Sequence, residues 1–84
     1  MTYKVVIEKK ARKFIKSQPA FQQRRLHKAI GNLPSGGDIK YLSGNKEAFR
    51  LRVGNYRVIF TKDNDVYIVT VVDIDNRGQI YKSI

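Results

Sequence analysis

The stretch Phe49-Arg50-Leu51-Arg52-Val53-Gly54-Asn55-Tyr56-Arg57-Val58-Ile59-Phe60 decides how the rest of the chain is read. Gly54-Asn55 suits a two-residue hairpin turn, and β-branched and aromatic residues flank it on both sides. That turn sets a register: Val53 faces Tyr56, Arg52 faces Arg57, Leu51 faces Val58 and Arg50 faces Ile59. Successive side chains of a strand point to opposite faces. Phe49, Leu51, Val53, Tyr56, Val58 and Phe60 therefore share one apolar face, while Arg50, Arg52 and Arg57 gather on the other. Like charges directly opposite destabilise a sheet. The Arg52/Arg57 pair accordingly predicts an anion seated between the two guanidinium groups, and the segment is the best candidate in the chain for gripping a polyanion.

Downstream, Asp63-Asn64-Asp65 marks a second turn, and Val66–Val72 reads as a third strand of the sheet's interior because it is apolar on both faces. The tail Asp75–Ile84 is polar, with Ile80 and Tyr81 as a short closing strand. Upstream, Thr2–Glu8 is rich in Val, Ile and Tyr and reads as a strand. From Lys9 the period changes: Ala11, Phe14 and Ile15 fall at helical spacing, with Lys10, Arg12, Lys13 and Lys16 on the other faces. Pro19 stops this helix and suits the start of the next. In the second helix Leu26, Ala29, Ile30 and Leu33 recur at i, i+3, i+4 and i+7. Phe21 lies off that stripe and is expected to pack at the corner between the helices, and Pro34-Ser35-Gly36-Gly37 is a loop. The order β-α-α-β-β-β predicts an α+β fold. A two-helix hairpin packs on one face of a mostly antiparallel sheet, as a single domain over residues 1–84.

Composition narrows the partners. Seventeen Lys and Arg against seven Asp and Glu leave a formal charge of +10 over 84 residues, which favours a nucleic-acid partner, an acidic protein partner, or both. A hydrophobic fraction of 42% argues for a folded domain. The absence of cysteine excludes a disulfide scaffold and a Cys-based zinc site, and favours the reducing cytoplasm. The opening strand carries Lys4 and Glu8, unlike a signal peptide, and no apolar run is long enough to span a membrane.

The hairpin, with a further β strand and a short Arg-x-x-x-Tyr tail at Arg77 and Tyr81, resembles the RelE/ParE superfamily of bacterial and archaeal toxins. Length, basic charge, element order and the helical hairpin match over nearly the whole chain. The distinctive part is the stretch Leu51 to Ile59, with Gly54 and the Tyr56-Arg57 pair. The resemblance implies a RelE-like fold. It also implies a metal-independent, cofactor-free endoribonuclease that enters the ribosomal A site and cuts messenger RNA there. In that chemistry the messenger's own 2′-hydroxyl attacks the adjacent phosphate and leaves a cyclic phosphate. The toxin is masked by an acidic antitoxin in a hetero-oligomer.

Carried over position by position, the resemblance assigns Arg57 to the arginine of the Tyr-Arg pair, Arg77 to the tail arginine and Tyr81 to the tail tyrosine. Arg50 stands at the second of two strand lysines, Ala48 at the first, and Asn76 where relatives often carry a histidine. Guanidinium groups suit this reaction because they bind phosphate bidentately and stabilise charge that builds in the transition state. Tyr81 is suited to stacking on a splayed base.

Arg52, Lys46, Lys82 and Lys13 are the expected RNA-binding cations, and the basic run Lys9–Lys16 is suited to the ribosomal RNA backbone. Of the nearby carboxylates, Glu47 is a candidate general base, while Asp73 and Asp75 are expected mainly to balance charge near Arg77, with pairing to the local arginines or a role as weak base as the alternatives. His27, the only histidine, lies beside the apolar stripe and is expected on the surface. Two other functions fit the same fold: a ParE-type, non-enzymatic inhibitor of DNA gyrase, and a binding module without nuclease activity, to which Ala48 and Asn76 point.

Overall fold

A computed structural model describes residues 2–42 and 48–76. Its elements are β1 (Lys4–Ile7), α1 (Lys9–Lys16), α2 (Ala20–Gly31), β2 (Asp38–Leu42), β3 (Ala48–Val53), β4 (Tyr56–Asp63) and β5 (Ile68–Asn76). The strands form one five-stranded sheet in the order β1-β5-β4-β3-β2. β1 runs parallel to β5, and every other neighbouring pair is antiparallel. The fold is α+β and RelE-like, as the sequence predicts, with one strand more. The sequence reading assigns no element to residues 38–42; there β2 pairs along its length with β3, from Asp38↔Arg52 to Leu42↔Ala48.

The hairpin register is the expected one, with Val53 opposite Tyr56 and Arg52 opposite Arg57. Gly54 has φ +60° at the first turn position, which glycine adopts without steric cost. The Arg25 guanidinium of α2 lies over it, so that a Cβ at Gly54 would stand 2.7 Å from Arg25 Nη1.

The apolar hairpin face makes the core. Leu51, Val53, Tyr56, Val58 and Phe60 are buried with Ala11 and Ile15 of α1, Leu26 and Ile30 of α2, and Val69, Val71 and Ile74 of β5. Phe14 meets Tyr56 edge-to-face at 6.0 Å, and the Tyr56 hydroxyl donates to Gln18 Oε1 at 2.8 Å. One end of β4 is so tied to the corner between the helices. Phe21 is not part of that corner: it is 61% exposed, because the buried side of α2 runs through Leu26 and Ile30.

The last described strand also differs from its expected bounds. Val66 and Tyr67 lie in the turn, Tyr67 with φ +56°, and the strand starts at Ile68. It is interior, flanked by β1 and β4. It then runs on to Asn76, through a bulge opposite Ile59/Phe60 that leaves Val72 unpaired. A one-residue insertion exchanges the faces of everything beyond it. Val69 and Val71 point to the core before the bulge and Ile74 after it, so Asp73 and Asp75 fall on the other face.

Candidate nucleic-acid interface

On the face away from the helices, the register sets a row of charges across four strands. Asp38 of β2 stands opposite Arg52 of β3, Arg52 opposite Arg57 of β4, and Arg57 opposite Asp75 of β5. Arg50 sits two residues along β3 on the same face, between Lys40 and Ile59. The sequence thus places Arg50, Arg52 and Arg57 together, and the fold keeps them so.

The arginines of this like-charge opposition have carboxylate neighbours within the chain. Arg57 Nη2 bonds Asp75 Oδ2 at 2.8 Å, and Asp38 lies 3.9 Å from both Arg50 Nη2 and Arg52 Nε. The first is a charge-assisted hydrogen bond; the other two are loose contacts of an exposed aspartate. Asp75 therefore pairs with Arg57, one of the local arginines. Asp73 is likewise engaged elsewhere, with Lys10 Nζ at 3.6 Å.

The carboxylates leave part of the guanidinium chemistry unused. Arg50 Nε and Arg57 Nε are both buried without a hydrogen-bond partner, and so is Asp75 Oδ1. An unsatisfied buried polar group costs about 1–3 kcal/mol, and native folds carry few of them. The Arg50 side chain is only 16% exposed, Arg57 38% and Arg52 56%, so the three grade from covered to open.

A second basic surface lies on α1. Lys9, Arg12, Lys13 and Lys16 line an open groove of ≈ 210 Å³. Their spacing sets like charges at i,i+3 and i,i+4, each pair costing a few tenths of a kcal/mol. Among the described residues the only ion pair of this helix is Lys10 with Asp73. His27 is exposed, as expected. Arg77, Tyr81, Lys82, Lys46 and Glu47 lie outside the described residues, as does the expected closing strand at Ile80 and Tyr81. Ala48 starts β3, and Asn76 ends β5 opposite Tyr56.

The sequence reading missed the role of Asp38 and named pairing with a local arginine only as an alternative for Asp75. The signal for Asp38 was its place at the head of the short alternation Asp38-Ile39-Lys40; which arginine Asp75 meets depends on the bulge.

The fold sets a basic sheet face against a two-helix hairpin, and comparison with known proteins gives the family. The model of the ParE toxin of type II toxin–antitoxin systems (parDE) matches residues 5–81, and the chain belongs to this family, within the RelE/ParE toxin superfamily. The chain is 29% identical to a candidate toxin RelE1 of Methanocaldococcus jannaschii, with 99% of both chains covered. Among solved structures it is similar to a chain of the archaeal RelE–RelB complex from Pyrococcus horikoshii, with a TM-score of 0.77, 28% identity, and 94% of this chain and 99% of that one covered. The isolated Escherichia coli RelE toxin shares the fold at a TM-score of 0.69 and 14% identity, with 98% and 94% covered.

Proposed function

We propose that this toxin is a RelE-type endoribonuclease that cuts messenger RNA in the ribosomal A site, in the cytoplasm, and that an acidic antitoxin masks it. The observation that carries this reading is the guanidinium face, where Arg50, Arg52 and Arg57 stand together on one side of the sheet with Arg57 and Arg52 open to solvent. A phosphodiester presents non-bridging oxygens that match such donors.

In the reaction the 2′-oxygen attacks the neighbouring phosphorus, the bond to the 5′-oxygen breaks, and a 2′,3′-cyclic phosphate remains. The proton lost by the 2′-hydroxyl is balanced by one gained at the departing 5′-oxygen. Negative charge grows on the phosphoryl oxygens, and fixed cations lower the barrier by stabilising it in place. Arg57 and Arg50 take that role. Arg77 and Tyr81 would complete the site, the arginine at the phosphate or leaving oxygen and the tyrosine on a base. Arg52, Lys46, Lys82 and the α1 groove around Lys13 would hold messenger and ribosomal RNA backbone. The antitoxin is supported by the similar P. horikoshii protein, whose structure is that of a RelE–RelB complex, and by this chain's +10 charge, which an acidic partner would neutralise.

The family match, to a ParE toxin, favours a second reading: a non-enzymatic inhibitor of DNA gyrase. One experiment separates them. The chain is added to a translation extract and, in parallel, to a gyrase supercoiling assay. New messenger 5′ ends at codon spacing, only when ribosomes are present, support the nuclease. Intact messenger with supercoiling stopped supports the gyrase inhibitor.

A further inference from the structure

Arg57 is already bound to an anion, and the way it is bound is informative. The contact uses one N–H of the guanidinium fork and one oxygen of the carboxylate, Nη2 to Oδ2 at 2.8 Å. The other halves, Arg57 Nε and Asp75 Oδ1, are unpartnered. A guanidinium and a carboxylate commonly pair through two parallel bonds; here only one of the two is made, so the pair is held less firmly than a full fork. Both side chains are also more than one-third exposed, 38% and 37%, so the pair can open without unfolding the sheet. The other aspartates of this face are poorer partners for Arg57. Asp38 stands two strands away, and Asp73 is taken by Lys10.

We propose that Asp75 is the resident counter-anion of the site: its carboxylate positions the Arg57 guanidinium on the sheet, and an RNA phosphate exchanges for it on docking. The inference rests on the reading of this face as an RNA phosphate site. Phosphate and carboxylate use the same fork geometry, so an incoming phosphate competes with Oδ2 for the exposed part of the Arg57 guanidinium and displaces it. Until then Asp75 offsets the like charges of Arg52 and Arg57, which face each other directly. Asp75 is a positioning residue, and it sets how tightly the free toxin holds RNA that is not correctly placed. The bulge at Val72 is the backbone device that delivers it, since without that extra residue Asp75 would face the core.

The test is binding of a short labelled single-stranded oligouridylate, followed by fluorescence anisotropy across a salt series. Asp75→Asn removes the competing charge while keeping shape, and should bind about fivefold tighter, the scale of a charge-assisted bond weakened by partial exposure. The slope of log affinity on log salt should steepen by up to about 0.7, because no freed carboxylate takes up a cation to offset the one that the phosphate releases. Asp65→Asn, the same charge change at the β4–β5 turn, should move affinity by less than twofold. In an Arg57→Gln background Asp75→Asn should have no effect. Should Asp75→Asn fold poorly, the wild-type chain gives a second readout. Inorganic phosphate should shift the Arg57 Nε–Hε resonance and the Asp75 signals.

Equal or weaker binding by Asp75→Asn overturns the exchange. So does a gain matched by Asp65→Asn, a gain that persists without Arg57, no binding of the oligomer by the wild type, or an Arg57 resonance that ignores phosphate. None of these readouts involves a ribosome. Failure to cut messenger with the fivefold gain intact would remove the nuclease reading and leave the exchange. Cutting without the gain would do the reverse.

Discussion

Arg57→Gln should separate function from stability. Its wild-type bond to Asp75 is short, but both side chains are more than one-third exposed, which holds its net contribution to about 0.5–1 kcal/mol. The same substitution removes the opposition of Arg57 to Arg52, a cross-strand penalty of about 0.2–1 kcal/mol. These two effects have opposite signs and similar size, so the unfolding free energy should change by less than about 1 kcal/mol. The transition state has no such compensation. Losing a fixed donor aimed at a developing oxyanion costs roughly 10²–10³ in rate, or about 2.7–4 kcal/mol. Urea unfolding followed by far-UV circular dichroism measures the first quantity, and primer extension on messenger in a translation extract measures the second. A stable variant that still cuts at the wild-type rate would refute the placement of Arg57 at the reacting phosphate. A loss of more than about 2 kcal/mol in stability would refute the balance of charges across β3, β4 and β5.

Three further outcomes can be measured on the same preparation. Gly37→Ala should destabilise the fold more than Gly54→Ala in urea unfolding. Both glycines have positive φ, a cost of about 1–2 kcal/mol for a residue with a Cβ. At Gly37 the added carbon also meets Leu51 Cδ1 of the core at 2.8 Å, whereas at Gly54 it meets only the movable end of Arg25. Phe60→Ala should cost about 3–5 kcal/mol, because the ring is buried in the core and stacks on Phe49 at 5.3 Å. Replacing both Arg12 and Lys13 by Ala should weaken RNA binding about equally for all sequences and lower the salt slope by up to about 0.7 for each cation lost, read from the same anisotropy series.

How much of this protein was legible beforehand differs between its parts. β2 was not legible: Asp38-Ile39-Lys40-Tyr41-Leu42 is polar enough to read as loop, and as an edge strand it acquires its pairing only from β3. Tyr41, 55% exposed, reaches a partner only by lying across from Phe49, at 5.5 Å between ring centres. Phe21 was misplaced for a related reason. A residue off the helical stripe takes its surroundings from how α2 is rotated on the sheet, and that rotation is set by Leu26 and Ile30.

The sequence by itself determined the hairpin, its register and the division of its two faces. The reason is local: a two-residue turn at Gly54-Asn55 leaves one pairing, and strand alternation then sorts apolar residues from arginines. The two helices and the polyanion-seeking charge follow equally from period and composition. Only the tertiary structure decided what stands beside those arginines. Alternation run without interruption along β5 would turn Asp73 and Asp75 toward the core and Ile74 away from it. The bulge at Val72 reverses this, burying Ile74 and setting Asp75 against Arg57. A bulge is a compromise between neighbouring strands, and it is settled by the packing of the whole sheet rather than by any one segment's pattern.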